Sequence, residues 1–171
     1  MTRFGCSYVS TCCVLAIVAS ISGSAARAAA PNSCSFLTPA AVAAAVGQPV
    51  TGGTQSVVND PSSTTSICMY RAGSLLISLS VNQLASAAAA RAEYDDELSN
   101  SRAHEGSSSA QKTVLVPGLG DGAFSAADGP AIGLTGVRGS FVIGIGLVGG
   151  GATAVPQERL RNLLQSALSH G

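Results

Sequence analysis

Two cysteines, Cys34 and Cys68, constrain the folding of this 171-residue chain more than any other feature, because of the segment that precedes them. The other three, Cys6, Cys12 and Cys13, fall in a stretch laid out like a secretory signal peptide. Arg3 is the lone charge in residues 1–11, residues 12–21 read CCVLAIVASI, and mostly small residues lead to Ala26-Arg27-Ala28, an A-x-A cleavage site. Ten apolar residues make about 15 Å of helix, half the roughly 30 Å needed to span a bilayer core. The segment therefore predicts export. Residues 1–28 are expected to be the signal peptide and residues 29–171 a single exported domain, periplasmic or extracellular, with no transmembrane span. The residues before Cys34 (Pro31, Asn32, Ser33) fit a lipid-anchor motif poorly, so lipidation is not expected.

In an oxidising compartment an even pair of cysteines predicts one structural disulfide, Cys34–Cys68. Closing a loop of about 35 residues is worth about 3–4 kcal/mol in the chain-entropy model. A metal or redox role is disfavoured. There is no C-x-x-C, and the two histidines, His104 and His170, sit in a polar stretch and at the chain end. The bridge matters because the exported part carries five aromatics, Phe36, Tyr70, Tyr94, Phe124 and Phe141, and no tryptophan, a light supply of core volume.

Charge excludes further classes. Nine basic residues balance nine acidic ones, and only 11% of residues are charged against 46% hydrophobic. Such a chain is too neutral to track nucleic-acid phosphates and too apolar for a disordered tail. Loss of Arg3 and Arg27 with the signal peptide leaves a small negative excess.

The remaining pattern predicts an α+β domain: an antiparallel sheet of five to six strands, covered mainly on one face by two or three helices. Thr38, Pro39 and Gly47 read as cap, first turn and exit of a helix, with Leu37 and Val42 as a hydrophobic staple and Val42 and Val46 on its inner face. Residues 51–66 read as a loop around a short strand near Val57. Residues 67–71 and 75–81 form a hairpin across Ala72-Gly73-Ser74, the second strand alternating Ile77, Leu79 and Val81 with Ser78 and Ser80. Residues 83–99 read as a helix with Leu84, Ala87, Ala88, Arg91, Tyr94 and Leu98 along one side. Its acidic run, Glu93, Asp95, Asp96 and Glu97, lacks the spacing of a calcium loop and reads as a solvated face. A loop over 100–112 and a strand over 113–116 follow. A second hairpin over 131–148 turns near Arg138-Gly139 and leaves Gly144 and Gly146 bare on one face, room for a packed helix. Leu160, Leu163, Leu164, Ala167 and Leu168 mark the last helix, with Pro156 in its first turn and Glu158 near its start.

Motifs for chemistry are sparse. The segment 118–122, GLGDG, lacks the strand–loop–helix context of a dinucleotide loop and reads as a turn joining strands. No phosphate-binding loop ending in Gly-Lys occurs, and Lys112 is the only lysine. No G-x-S-x-G is present. A hydrolase would have to draw on His104 or on the carboxylates Asp121 and Asp128.

Several segments together resemble a family of small exported and lipid-anchored domains of unknown function, common among secreted proteins of actinobacterial type. CSFLTPAAVAAAVGQPV is similar to that family's C-x-L-L-T-x-x-E-V-x-x-x-L-G-x-x-V opening, and Val116–Phe124, VPGLGDGAF, to its V-x-G-L-G-D-x-A-F. Cys68-x-Tyr70, the strand over 75–81, the final hairpin and the Leu-rich helix extend the resemblance over nearly all of residues 33–169. It implies the same Cys34–Cys68 pairing. Two features depart from it: this chain has no lipobox, and Ala41 stands where the family carries an acidic residue.

The sequence thus favours a non-catalytic exported domain that binds an envelope component, a small ligand or a protein partner, with no cofactor or metal. Gly118, Gly120 and Asp121 mark the candidate functional turn. A small hydrolase using His104 or Asp121/Asp128, or a purely structural accessory module, are the alternatives.

Overall fold

The computed structural model describes residues 30–59, 63–105 and 111–171; the expected signal peptide lies outside them. In chain order the elements are α1 (Ser33–Phe36), α2 (Pro39–Val46), β1 (Thr51–Asn59), β2 (Ser63–Ala72), β3 (Leu75–Leu84), α3 (Ala87–Glu105), β4 (Lys112–Leu115), β5 (Gly122–Asp128), β6 (Ala131–Arg138), β7 (Phe141–Val148), a short 3-10 turn (Ala152–Ala154) and α4 (Gln157–Leu168). The strands form one antiparallel sheet of seven in the order β1-β2-β3-β7-β6-β5-β4. The class is the expected α+β with one disulfide, but seven strands and four helices replace the five to six strands and two or three helices read from sequence.

Side-chain alternation divides the sheet into two faces. Cys68, Tyr70 and Ala72 of β2, Leu75, Ile77, Leu79 and Val81 of β3, and Ile143, Ile145 and Leu147 of β7 all point to one side and are buried. This is the face on which α1, α2 and α4 pack, and it holds the larger core. From α4 come Leu160, Leu163, Leu164, Ala167 and Leu168, the full predicted stripe, each at most 5% exposed. The helix approaches β6 closely because Gly136 has no side chain. A Cβ there would lie 3.1 and 3.2 Å from methyls of Leu168 and Leu164.

The short segment α1 buries little but is tied to β2 by three cross-links. Cys34 bonds to Cys68, thirty-four residues on, with Cα atoms 5.1 Å apart. The buried Ser66 hydroxyl donates to Ser33 Oγ at 2.8 Å and accepts from the Ser33 amide, and Gln55 Nε2 donates to the same hydroxyl at 2.9 Å. Tyr70 donates its buried phenol to the Leu37 carbonyl at 2.7 Å. Burial raises the pKa of that phenol and keeps it a donor. The helix α2 then begins as its sequence dictates: Thr38 Oγ1 accepts from the Ala41 amide at 3.1 Å. It ends where Gly47 takes a left-handed φ of 76° and donates to the Ala43 carbonyl. Its buried pair is Val42 and Ala45, with Val46 only partly covered.

Three boundaries depart from the sequence reading. The expected loop over 51–66 is largely strand, with β1 paired to β2 from Thr51↔Arg71 to Asn59↔Thr64 through a bulge at Gly52/Thr54. Every β1 residue is exposed, so no alternating burial signal exists there to be read. The loop expected over 100–112 is helical at its start, because α3 continues to Glu105. That helix also begins later than residue 83, since β3 runs on to Leu84.

Candidate functional site

The candidate turn, residues 117–121, joins β4 to β5 and is held from both sides of the sheet. Leu119 plugs into the main core at 1% exposed. Arg161 of α4 donates to the Pro117 carbonyl at 2.9 Å, and Arg91 of α3 donates to the Asp121 carbonyl at 3.3 Å. The Asp121 amide reaches the Val137 carbonyl, and Asp121 Oδ2 accepts from the Gly139 amide at 2.9 Å. Gly120, at φ 58°, passes so close to β6 that a Cβ would sit 2.5 Å from the Val137 carbonyl oxygen. These contacts explain the G-L-G-D pattern. Leucine anchors the turn, glycine permits the close approach, and aspartate locks the turn to the β6–β7 hairpin.

Opposite the turn runs α3. It covers the second face of the sheet through a small cluster of Ala90 and Tyr94 against Phe124, Val137 and Val142. Tyr94 and Phe124 meet at 5.5 Å between ring centroids, tilted by 59°. Gly122 lies beneath this contact, where a Cβ would lie 3.0 Å from the Arg91 guanidinium and 3.4 Å from the Tyr94 ring. Arg91 stacks over Tyr94 at 4.9 Å and pairs with Asp95 at 3.0 Å. Burial raises the Tyr94 phenol, the positive charges of Arg91 and Arg102 pull it down, and Asp95 adds to the rise.

Between α3 and the turn opens a cleft of about 410 Å³. One wall is the 117–122 backbone with Leu115; the other is the α3 stripe Arg91, Tyr94, Leu98 and Arg102. Gly118, Gly120 and Asp121 thus all line this cleft. The α3 wall was missed as a site. Its signal is an arginine inside an apolar stripe at i, i+3, i+7 and i+11, which places all four side chains on one side of the helix.

The other sequence candidates do not assemble with it. Asp121 and Asp128 bracket β5, and a seven-residue strand extends roughly 20 Å at 3.3 Å per residue. That is more than twice the widest carboxylate separation used in glycoside hydrolysis, about 9.5 Å, so the two acids do not form a catalytic pair. His104 lies in the last turn of α3 rather than in a loop, and it does not line the cleft.

The acidic run is also divided. Asp95 pairs with Arg91, whereas Glu93 and Glu97 roof a separate polar cavity of about 210 Å³ over Ser80, Asn82, Thr135 and Gly144. Desolvation raises the Glu97 carboxyl pKa, and the neighbouring Glu93 charge adds to the rise. At the bare Gly144 and Gly146 positions the nearest neighbours are not a packed helix. Added Cβ atoms would meet the hydroxyls of Ser80 at 2.6 Å and Ser78 at 2.8 Å.

Among the described residues no cluster of three or more His, Cys, Asp or Glu side chains is placed to hold a metal ion, and no helix is long and apolar enough to cross a membrane. Comparison with protein-family models and with curated proteins returns no match for this chain.

Proposed function

We propose that the chain is an exported, disulfide-stapled, non-catalytic domain that binds a small ligand in the cleft between α3 and the 117–121 turn. The observation that carries this reading is the construction of the cleft. A preformed cavity of about 410 Å³ lies within the size range of small-molecule sites. Its floor is fixed by hydrogen bonds from two helices and a hairpin, while its other wall is a helix held by few buried residues. A rigid wall facing an adjustable one suits binding. Export is supported by the 1–28 segment, by the Cys34–Cys68 bridge, which persists in oxidising compartments, and by the resemblance of the CSFLTPAAV and VPGLGDGAF segments to exported domains. The hydrolase alternative is weakened by the separation of Asp121 from Asp128.

Native mass spectrometry tests the reading. The oxidised domain, residues 29–171, is incubated with small-molecule and lipid extracts of bacterial envelopes. The expected result is a discrete adduct that disappears in Leu115→Glu, which places a charge on the cleft wall without touching the core. No adduct, or one that Leu115→Glu leaves intact, overturns it.

A further inference from the structure

We infer that the ligand of this cleft is a single-chain amphiphile with one carboxylate, its head group taken by Arg102 and its apolar body lying against Leu98 and Leu115. The inference rests on the cleft-binding reading above and adds the chemistry of the occupant.

Two cations line the cleft, but they are not equivalent. Arg91 is already engaged: Nε and Nη2 hold the Asp95 carboxylate, Nη1 donates to the Asp121 carbonyl, and the guanidinium plane lies on Tyr94. The one acid on the cleft, Asp121, has a carboxylate oxygen turned to the Gly139 amide. Arg102 forms no ion pair with any described residue. It stands eleven residues from Arg91 on the same stripe, far enough along α3, at 1.5 Å per residue, to act as a separate head-group site. With Arg91 held by Asp95, Arg102 is the cleft guanidinium that has no ion-pair partner among the described residues. A planar fork of donors suits a carboxylate, which it can grip with two parallel hydrogen bonds.

The walls beside Arg102 are apolar. Leu115 keeps 53% of its surface exposed at the end of β4. Leu98, one helical turn before Arg102, is only partly buried against the small α3 cluster. Pro117 continues the apolar wall along the turn. A guanidinium without an ion-pair partner among the described residues, beside Leu98, Leu115 and Pro117, is complementary to an anion with a hydrocarbon tail. A cationic amphiphile would meet Arg102 as a like charge.

Titration calorimetry with octanoate, octanol and octylamine, at low and at physiological salt, reads out the head group on a constant tail. Octanoate is expected to bind about tenfold tighter than octanol, consistent with a charge-assisted hydrogen bond, and octylamine weaker than both. Arg102→Gln should bring octanoate down to the level of octanol without changing octanol itself, and Arg102→Lys should restore part of the difference. Leu115→Glu should weaken both, octanoate more than octanol because the new carboxylate repels its head group. If octanoate and octanol bind equally, or if Arg102→Gln changes both in step, the carboxylate assignment is overturned while cleft binding stands. If none of the three probes binds yet the envelope adduct is still lost in Leu115→Glu, the amphiphile assignment fails alone. If the adduct is absent too, the cleft-binding reading falls with it.

Discussion

The two faces of the sheet are built to different standards. On one, the twelve-residue α4 buries five side chains, and α1 is fastened by a disulfide, a shared serine hydroxyl and a tyrosine phenol. On the other, the nineteen-residue α3 buries only Ala90 and Tyr94, and its polar contacts hold a cleft open on one flank and a small polar cavity on the other. The larger apolar burial is where stability resides, since each fully buried leucine contributes about 2 kcal/mol relative to exposure. The sparsely packed face carries the candidate cleft and the polar cavity, while a groove of about 450 Å³ between α2 and α4 lies on the other. In this protein the frame and the α3 wall of the candidate site lie on opposite sides of one sheet, and they can be perturbed separately.

The largest separation should come from the disulfide. Replacing Cys34 and Cys68 together with alanine is expected to cost about 3–4 kcal/mol, the loop-closure value for a bridge of this span. Urea unfolding under oxidising conditions measures the loss. Intact mass with and without reductant should differ by two hydrogens, and two titratable thiols in unreduced protein would refute the bond in solution. A double mutant as stable as the native chain would mean that the Ser33–Ser66 and Leu37–Tyr70 contacts alone fix α1, and the division between the faces would lose its strongest support.

A paired truncation sharpens the same contrast. Leu164→Ala, at a site with no exposed surface under α4, should cost about 3 kcal/mol, mid-range for buried leucines. Leu98→Ala, at the edge of the α3 cluster, should cost about 1 kcal/mol because the side chain is only partly buried to begin with. Equal losses in urea melts would show that α3 is as firmly packed as α4 and would break the comparison. A loss at Leu98 confined to hydrogen exchange in α3, with the rest of the domain unchanged, would strengthen it.

What could be read from the chain follows the same line. The α2 caps, the α4 stripe, the two central hairpins and the cysteine pair were legible because burial or backbone geometry imprints a period or a marker residue at each. The edge strand β1 was not, because a strand exposed along its whole length leaves turn-forming residues unpunished. Its order comes from pairing with β2 and from Gln55 reaching the buried Ser66 hydroxyl. The turn at Gly118, Gly120 and Asp121 was legible as a motif. Its meaning was not, because Arg91 and Arg161, which hold it, are thirty and forty-four residues away from their acceptors in sequence. The same distance hid the division of the acidic run, since which carboxylates meet solvent depends on Ser80 and Thr135 arriving beneath α3 from two other strands.

That division gives the smallest and most specific test. Desolvation, helped by Glu93, raises the Glu97 carboxyl above its unfolded value. The folded state therefore holds the Glu97 proton more tightly than the unfolded chain does. Below the unfolded value both states are protonated and the group's contribution to stability is fully present. As pH rises through the window from the unfolded value to the raised folded one, just above the ordinary carboxylate range, that contribution is lost. Glu97→Gln, which cannot ionise, should compare best with the native chain at neutral pH, and the native chain should gain stability relative to it on acidification through the window. Much of the Glu97 side chain remains in contact with solvent, so the effect is screened and small. Urea midpoints of both proteins across the acidic range read it directly. A gap independent of pH would mean that Glu97 is fully hydrated and that the polar cavity on this flank of α3 stands open, leaving the cleft at Arg102 as the one built feature of the sparsely packed face.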